Sequence, residues 1–201
     1  MCEHDHDHDH STKLDRRGFG KLILAGAAAG AASGIMPVTA EAAATCPTVT
    51  PVPVLGAMCI DYRLPSAGIR FFDSHIGVKK YDIVALAGGA LACGSENAFK
   101  KTVDAFYEQV HAAWTLHRIQ RVVFLDHMGC GAYKVEFNGG CDFTPPGKEY
   151  DYHLQVKDHV IAEFPTRTRD MGLPPIGLDF WIFMNPDAPV ARPLEPIKLH
   201  K

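Results

Sequence analysis

Four short apolar runs alternate along the chain with segments of helical periodicity, and this alternation limits what the chain can fold into. The runs cover residues 54–60, 81–87, 121–126 and 178–184. Short, nearly continuous apolar runs are typical of strands that are buried on both faces. Strands that alternate with helices form a largely parallel sheet. The sequence therefore predicts an α/β fold with a mostly parallel sheet of about four strands flanked by helices.

Two segments between the strands show the helical repeat. In residues 98–117, apolar side chains recur three and four positions apart. These are Phe99, Val103, Phe106, Val110, Ala113 and Leu116. Ser95 or Asn97 is the candidate cap of this helix, and a second helix is predicted over 152–164 and is expected to end at Pro165. Four histidines on these helices are expected at the surface or at helix ends: His111, His117, His153 and His159. The Pro-rich tail after residue 184 is predicted to be loose.

The first 44 residues have the pattern of a cleavable export signal. Arg16 and Arg17 precede an apolar stretch at 22–36, and small residues at 40–42 offer an A-x-A cleavage site. The stretch is too short and too rich in Gly and Ala to span a bilayer comfortably, which favours cleavage over anchoring. We therefore predict a leader over 1–44, the twin-arginine export machinery as a partner, and a periplasmic location.

The remaining segment, 45–201, is predicted to be one domain. Its 157 residues are enough for a substantial core. It carries 17 acidic and 16 basic side chains, a balance that leaves no basic footprint for nucleic acid and no polybasic membrane patch. Alternating His and Asp at 4–10 could collect divalent metal, or could be a solvated leader or an artefact. This segment would leave with the signal.

Two motifs stand at the ends of the first and third strands. Cys59, Asp61 and Arg63 form a C-x-D-x-R motif, and His127 and Cys130 form an H-x-x-C motif. In open parallel sheets, ligands collect at the carboxyl ends of the strands. Two thiolates and one imidazole suit zinc, and three protein ligands leave the fourth position for water. The motifs therefore predict a catalytic Zn²⁺ site, with a carboxylate and a guanidinium beside it.

Each motif residue also has an ordinary structural interpretation. Cys59 alone would be a small buried hydrophobe, Asp61 and Arg63 an ion pair, and His127 a hydrogen-bonded loop histidine. Their joint occurrence favours the metal site. A periplasmic zinc-binding protein without catalytic activity remains an alternative. A redox function for Cys59 and Cys130 is disfavoured because they form no C-x-x-C pair.

The other cysteines of the mature segment are candidates for a disulfide. Cys46, Cys93 and Cys141 remain if Cys59 and Cys130 bind metal. An oxidising compartment would favour a bridge, but the sequence does not select a pair among the three.

The two motifs, in this order and each after a strand, resemble those of the β-class carbonic anhydrases. The resemblance covers roughly residues 54–186, including glycines after the second strand and a closing strand near Trp181. Together the motifs are far more specific than either alone. The chain departs from the family pattern at Tyr62, where serine is usual, and at 87–90. Relatives that hydrolyse carbon disulfide or carbonyl sulfide share the fold and ligands, so these substrates stay open as an alternative.

The resemblance implies a role for each motif residue. Cys59, His127 and Cys130 would bind Zn²⁺, and a zinc-bound hydroxide would reversibly hydrate carbon dioxide to bicarbonate. Asp61 would orient that hydroxide or bind zinc as a fourth ligand, and Arg63 would hold Asp61 off the metal through a bidentate pair. The family's use of dimers makes a homodimer an option here.

Overall fold

A five-stranded sheet forms the centre of the domain. The computed structural model describes residues 50–195, which lie within one compact unit spanning 47–201. The strands are β1 (Val54–Met58), β2 (Tyr81–Ala85), β3 (Arg121–His127), β4 (Gly177–Phe183) and β5 (Ala191–Pro193). Their order is β2-β1-β3-β4-β5, with the first four parallel and β5 antiparallel to β4. The predicted α/β fold with a mostly parallel sheet is confirmed.

Five α-helices accompany the sheet within the described part of the chain. They are α1 (Pro65–Arg70), α2 (Leu91–Gly94), α3 (Lys100–His117), α4 (Gly131–Asn138) and α5 (Gly147–Asp170). A π-helical turn, Phe71–Ile76, follows α1 directly. Between residues 50 and 195, no helix has both the length and the apolarity needed to cross a membrane.

The two central strands are the most deeply buried part of the sheet. Every residue of β1 is buried, as is every residue of β3 after Arg121. Both strands have a neighbour on each side and helices over each face, which explains their nearly continuous apolar sequence. Gly56 in β1 has no room for a side chain, because a Cβ there would collide with the ring of Phe72.

The strand order creates a crevice where the two motifs stand. From β1 the chain crosses to β2 at one edge, whereas β3 lies on the other side of β1 and leads on to β4. Connections that leave in opposite directions open a crevice at the carboxyl ends of the two central strands. Cys59 directly follows β1, and His127 is the last residue of β3. The fold thus brings both motifs to one place, as their positions in the sequence predict.

The prediction that Pro165 ends the last helix was wrong. Helix α5 continues through Pro165 to Asp170, although an interior proline costs about 3 kcal/mol. The next turn stays in place because Phe164 and Thr168 are buried, and the Thr168 hydroxyl donates to the Phe164 carbonyl at 2.9 Å. Tertiary packing outweighs the local signal.

The sequence periodicity placed most of helix α3 correctly. Its buried face consists of Val103, Phe106, Tyr107, Val110 and Ala113. Leu116 was assigned to this face, but it is 61% exposed, so the stripe ends one turn earlier than predicted. The predicted cap was wrong: Phe99 is the N-cap residue and the helix has no side-chain cap, whereas Ser95 accepts the N–H of Phe99 at 2.8 Å in the turn before the helix.

Two further expectations concern the ends of the domain and its thiols. The tail was predicted to be loose, yet Ala191–Pro193 pairs with β4 as a short antiparallel edge strand, where a proline is tolerated. Cys93 and Cys141 are free thiols. The predicted leader and Cys46 lie outside the described residues.

Candidate metal centre

The three predicted ligands form one buried cluster. The ligand atoms of Cys59, His127 and Cys130 all lie within 4.8 Å of one another. The two sulfur atoms are 3.9 Å apart. Two sulfurs bound tetrahedrally to one zinc at about 2.3 Å would be separated by about 3.8 Å. The spacing therefore fits two thiolate ligands of a single zinc ion.

The imidazole of His127 is oriented as a ligand by its other nitrogen. Nδ1 lies 3.0 Å from the carbonyl oxygen of Met128. A carbonyl can only accept, so Nδ1 carries the proton and Nε2 presents a lone pair. The side chain is fully buried, and Nε2 has no hydrogen-bond partner among residues 50–195. Such an orphaned buried acceptor facing two sulfurs is what a metal ligand requires.

The two thiols influence each other strongly. The hydrogen bond from the Cys130 thiol lowers the pKa of Cys59 to about 5, with burial opposing and His127 and the Gly88 N–H assisting. The same contact, together with burial, raises the pKa of Cys130 well above its usual value. Without a cation the pair therefore keeps one proton, and a bound cation would release it.

Asp61 and Arg63 form a rigid pair beside the cluster. Arg63 donates from Nε to Oδ1 at 2.9 Å and from its terminal nitrogen to Oδ2 at 2.7 Å, and its backbone N–H also donates to Oδ1 at 3.0 Å. These bonds lower the pKa of Asp61 to about 2, so it is a carboxylate at any working pH. The same arginine donates to the carbonyl of Gly129 at 3.3 Å, which fixes the pair against the H-x-x-C loop. Oδ2 of Asp61 lies 3.8 Å from Nε2 of His127, so the carboxylate borders the ligand cluster.

A second layer of ionisable side chains lies behind the cluster, and the sequence analysis missed it. His153 was expected at the surface, but it is fully buried and its Nδ1 lies 3.0 Å from Asp126. Glu149, one helical turn earlier, accepts the backbone N–H groups of Gly129 and Cys130. The sequence contains a signal for this burial. Residues 153 and 149 lie three and seven positions before Val156, which places them on the same helix face as Val156 and Val160.

The partners of both buried helical groups favour the charged forms of these groups. Burial raises the pKa of Glu149, but His153 and the N–H groups of Gly129 and Cys130 outweigh it and leave the pKa below its usual value. Burial likewise lowers the pKa of His153, but Asp126 and Glu149 outweigh it and raise that pKa. The second layer is therefore a set of mutually compensating charges.

Phe71, Phe72 and Tyr133 belong to the hydrophobic core. Phe71 packs edge-on against Phe72 and Trp181, and all of Tyr133 is buried with its hydroxyl donating to Asp126 at 2.9 Å. These aromatic side chains therefore contribute to core packing.

Part of the chain is similar to known proteins. Residues 53–143 match the model of a family described as "Putative carbonic anhydrase". An uncharacterized protein of Rickettsia conorii is 31% identical over 114 residues, which are 53% of this chain and 59% of that relative. The chain therefore spans less than two thirds of that relative's length.

Two solved structures show similarity at low identity. A β-carbonic anhydrase of Trichomonas vaginalis is 18% identical with a TM-score of 0.39, covering 75% of this chain and 87% of that one. A carbonic anhydrase of Glaciozyma antarctica is 12% identical with a TM-score of 0.43, covering 92% and 98%. Both TM-scores lie below 0.5, so neither similarity supports a conclusion about the function of this chain.

The structure defines the protein as an α/β domain with a mostly parallel sheet and a Cys-His-Cys cluster, able to hold a metal ion, at the carboxyl edge of that sheet. The segment 53–143 contains both motifs, so the part of the chain that is similar to the putative carbonic anhydrase family includes the candidate metal centre.

Proposed function

We propose that this protein binds Zn²⁺ through Cys59, His127 and Cys130 and reversibly hydrates carbon dioxide to bicarbonate. The observation that carries the proposal is the buried Nε2 of His127, which has no hydrogen-bond partner in the described part of the chain and faces two sulfurs 3.9 Å apart. When bound there, zinc would lower the pKa of a water so that it can attack carbon dioxide near neutral pH. The family match supports the reaction, and the substrate is carbon dioxide or bicarbonate.

Asp61 is the proposed hydrogen-bond acceptor that orients the attacking water. Its Oδ1 already accepts two N–H groups of Arg63, whereas Oδ2 accepts one and lies 3.8 Å from His127 Nε2. Oδ2 therefore retains a lone pair at the edge of the ligand cluster, where it can accept a hydrogen bond from a reacting water. Arg63 keeps this carboxylate ionised and outside the ligand set.

The zinc-loaded protein should hydrate carbon dioxide with a kcat/KM of roughly 10⁴ M⁻¹s⁻¹ or more, as expected of an enzyme acting on its own substrate. Stopped-flow measurement with a pH indicator tests this, and the matched control is the same protein stripped by a chelator and then reloaded with zinc. Carbonyl sulfide and carbon disulfide should be assayed beside it. Turnover of a sulfur analogue without hydration would replace the proposed substrate, and tight zinc without turnover of any of the three would indicate a zinc-binding protein.

We also propose that the protein is exported by the twin-arginine machinery and acts in the periplasm, on the evidence of Arg16, Arg17 and the apolar stretch that follows. Replacing both arginines with lysine should trap the full-length precursor in the cytoplasm, because that machinery discriminates the arginine pair from other positive charge. Cell fractionation with an antibody measures the shift. Undiminished export of the Lys-Lys variant would contradict the proposal, and a Lys13→Arg variant is the control that should export normally.

A further inference from the structure

A buried chain of ionisable groups runs behind the ligand cluster. It consists of Asp126, His153 and Glu149, which we call the Asp126–His153–Glu149 network. Nδ1 of His153 lies 3.0 Å from Oδ2 of Asp126, and its Nε2 lies 3.9 Å from Oε1 of Glu149. All three residues are at least 95% buried. Burying three ionisable groups is costly unless they compensate one another, so their joint presence calls for a physical explanation.

At one end, Glu149 holds the loop that carries Cys130. Its Oε2 accepts the N–H of Gly129 at 2.9 Å, and its Oε1 accepts the N–H of Cys130 at 2.8 Å. Gly129 has a φ of 68°, a left-handed conformation that favours glycine. Two hydrogen bonds from consecutive amides to one carboxylate fix the orientation of the peptide between them. The direction of the Cys130 side chain depends on that peptide.

At the other end, Asp126 reaches the first thiolate through a turn. Its Oδ1 accepts the N–H of Ala90 at 2.9 Å. The same turn contains Gly88, whose N–H donates to Sγ of Cys59 at 3.3 Å. Gly89 must lack a side chain, because a Cβ there would collide with Asp126 Oδ1. Asp126 therefore holds the turn that delivers a hydrogen-bond donor to Cys59.

Asp126 also links the network to His127, the third proposed ligand. Asp126 directly precedes His127 in β3, and its Oδ2 is shared by His153 and the Tyr133 hydroxyl. Each of the three ligand-bearing segments is thus fastened to the same buried group of charges. Outer partners of this kind orient metal ligands, and their loss typically lowers metal affinity about 10- to 100-fold.

We propose that Glu149 is a positioning residue of the metal centre, and that the Asp126–His153–Glu149 network sets the placement of both cysteine sulfurs before metal binds. This inference rests on the proposed zinc site and deepens it. Glu149 lies outside the cluster of Cys59, His127 and Cys130, and its proposed effect on that cluster passes through the backbone N–H groups of Gly129 and Cys130. The amide of glutamine can accept only one of the two N–H groups and directs its own NH₂ at the other.

The test compares Glu149→Gln with Glu136→Gln. Glu136 is a matched control, because its carboxylate also accepts backbone N–H groups, those of Ala98 at 2.8 Å and Asn97 at 3.0 Å, away from the ligands. Competition with a chromophoric chelator gives zinc affinity, and the cobalt form gives the thiolate charge-transfer and d–d absorption bands. We expect the zinc dissociation constant of Glu149→Gln to rise about 10- to 100-fold and its cobalt bands to shift. Glu136→Gln should match the wild type in both.

A second variant keeps the proposal testable if Glu149→Gln does not fold. In His153→Asn the amide nitrogen can take the place of Nδ1 and donate to Asp126, whereas the contact toward Glu149 is lost. We expect a smaller rise in the dissociation constant with the same direction of spectral shift. Wild-type affinity and spectrum in the folded variants would overturn the proposal, as would an equal loss in Glu136→Gln. Tight zinc without hydration in the wild type would overturn the proposed function alone, since affinity and spectra still decide the role of Glu149.

Discussion

Cys59→Ser, Cys130→Ser and His127→Ala should each be purified with almost no zinc, whereas the wild type should hold one zinc per chain. Each change removes one of three protein ligands, and two ligands are too few to retain zinc against buffer and chelators. Serine also replaces a thiolate with an oxygen that stays protonated at neutral pH. Metal analysis after dialysis against a mild chelator measures the loss, and circular dichroism confirms that the variants fold.

The chain supplies its own control for these cysteine substitutions. Cys141 is an exposed free thiol outside the cluster, so Cys141→Ser should retain full zinc. Folded Cys59→Ser protein with full zinc would show that the ligands lie elsewhere. Loss of zinc from Cys141→Ser would show instead that zinc loss is not specific to the cysteines of the cluster.

The sequence predicted the sheet and the ligand cluster because both depend on local patterns. The apolar runs that became β1 and β3 are continuous, since each of these strands has neighbours on both sides and helices over both faces. Parallel strands bring their carboxyl ends to one edge, so residues after two strands can meet although they are 71 positions apart. Neither step needs knowledge of which helix face packs where.

The second layer could not be predicted in the same way, because it depends on how helix α5 packs. Glu149 and His153 lie on the buried stripe of α5, but a polar residue on such a stripe is usually assigned to the surface. Only the contacts with Asp126 and the Gly129–Cys130 amides offset the cost of burying them. Long-range partners also explain the continuation of α5 past Pro165 and the short strand β5, where packing overrides weak local signals.

Arg63→Ala should reduce carbon dioxide hydration by about 100-fold or more while leaving zinc in place. A misplacement of about 1 Å at a reacting group can cost that much, and Arg63 supplies every side-chain hydrogen bond that the structure shows to Asp61. The freed carboxylate lies only 3.8 Å from His127 Nε2 and can swing into the position that water needs. Stopped-flow hydration and metal analysis on the same preparation separate a loss of activity from a loss of zinc.

Asp61→Asn separates the effect of the negative charge of Asp61 from the effect of the restraint that Arg63 places on it. Asparagine keeps the size of the side chain but cannot bring a negative charge to the metal, so it should lower hydration without closing the site. The matched control is Arg121→Ala, which breaks another Arg–Asp pair, with Asp179 at 2.8 Å, at the opposite end of β3. That variant should hydrate as fast as the wild type. Near-normal hydration by Arg63→Ala with full zinc would contradict the proposed roles of Asp61 and Arg63. If Arg63 restrains Asp61, the carboxylate that is released in this variant should compete with water for the metal and slow hydration.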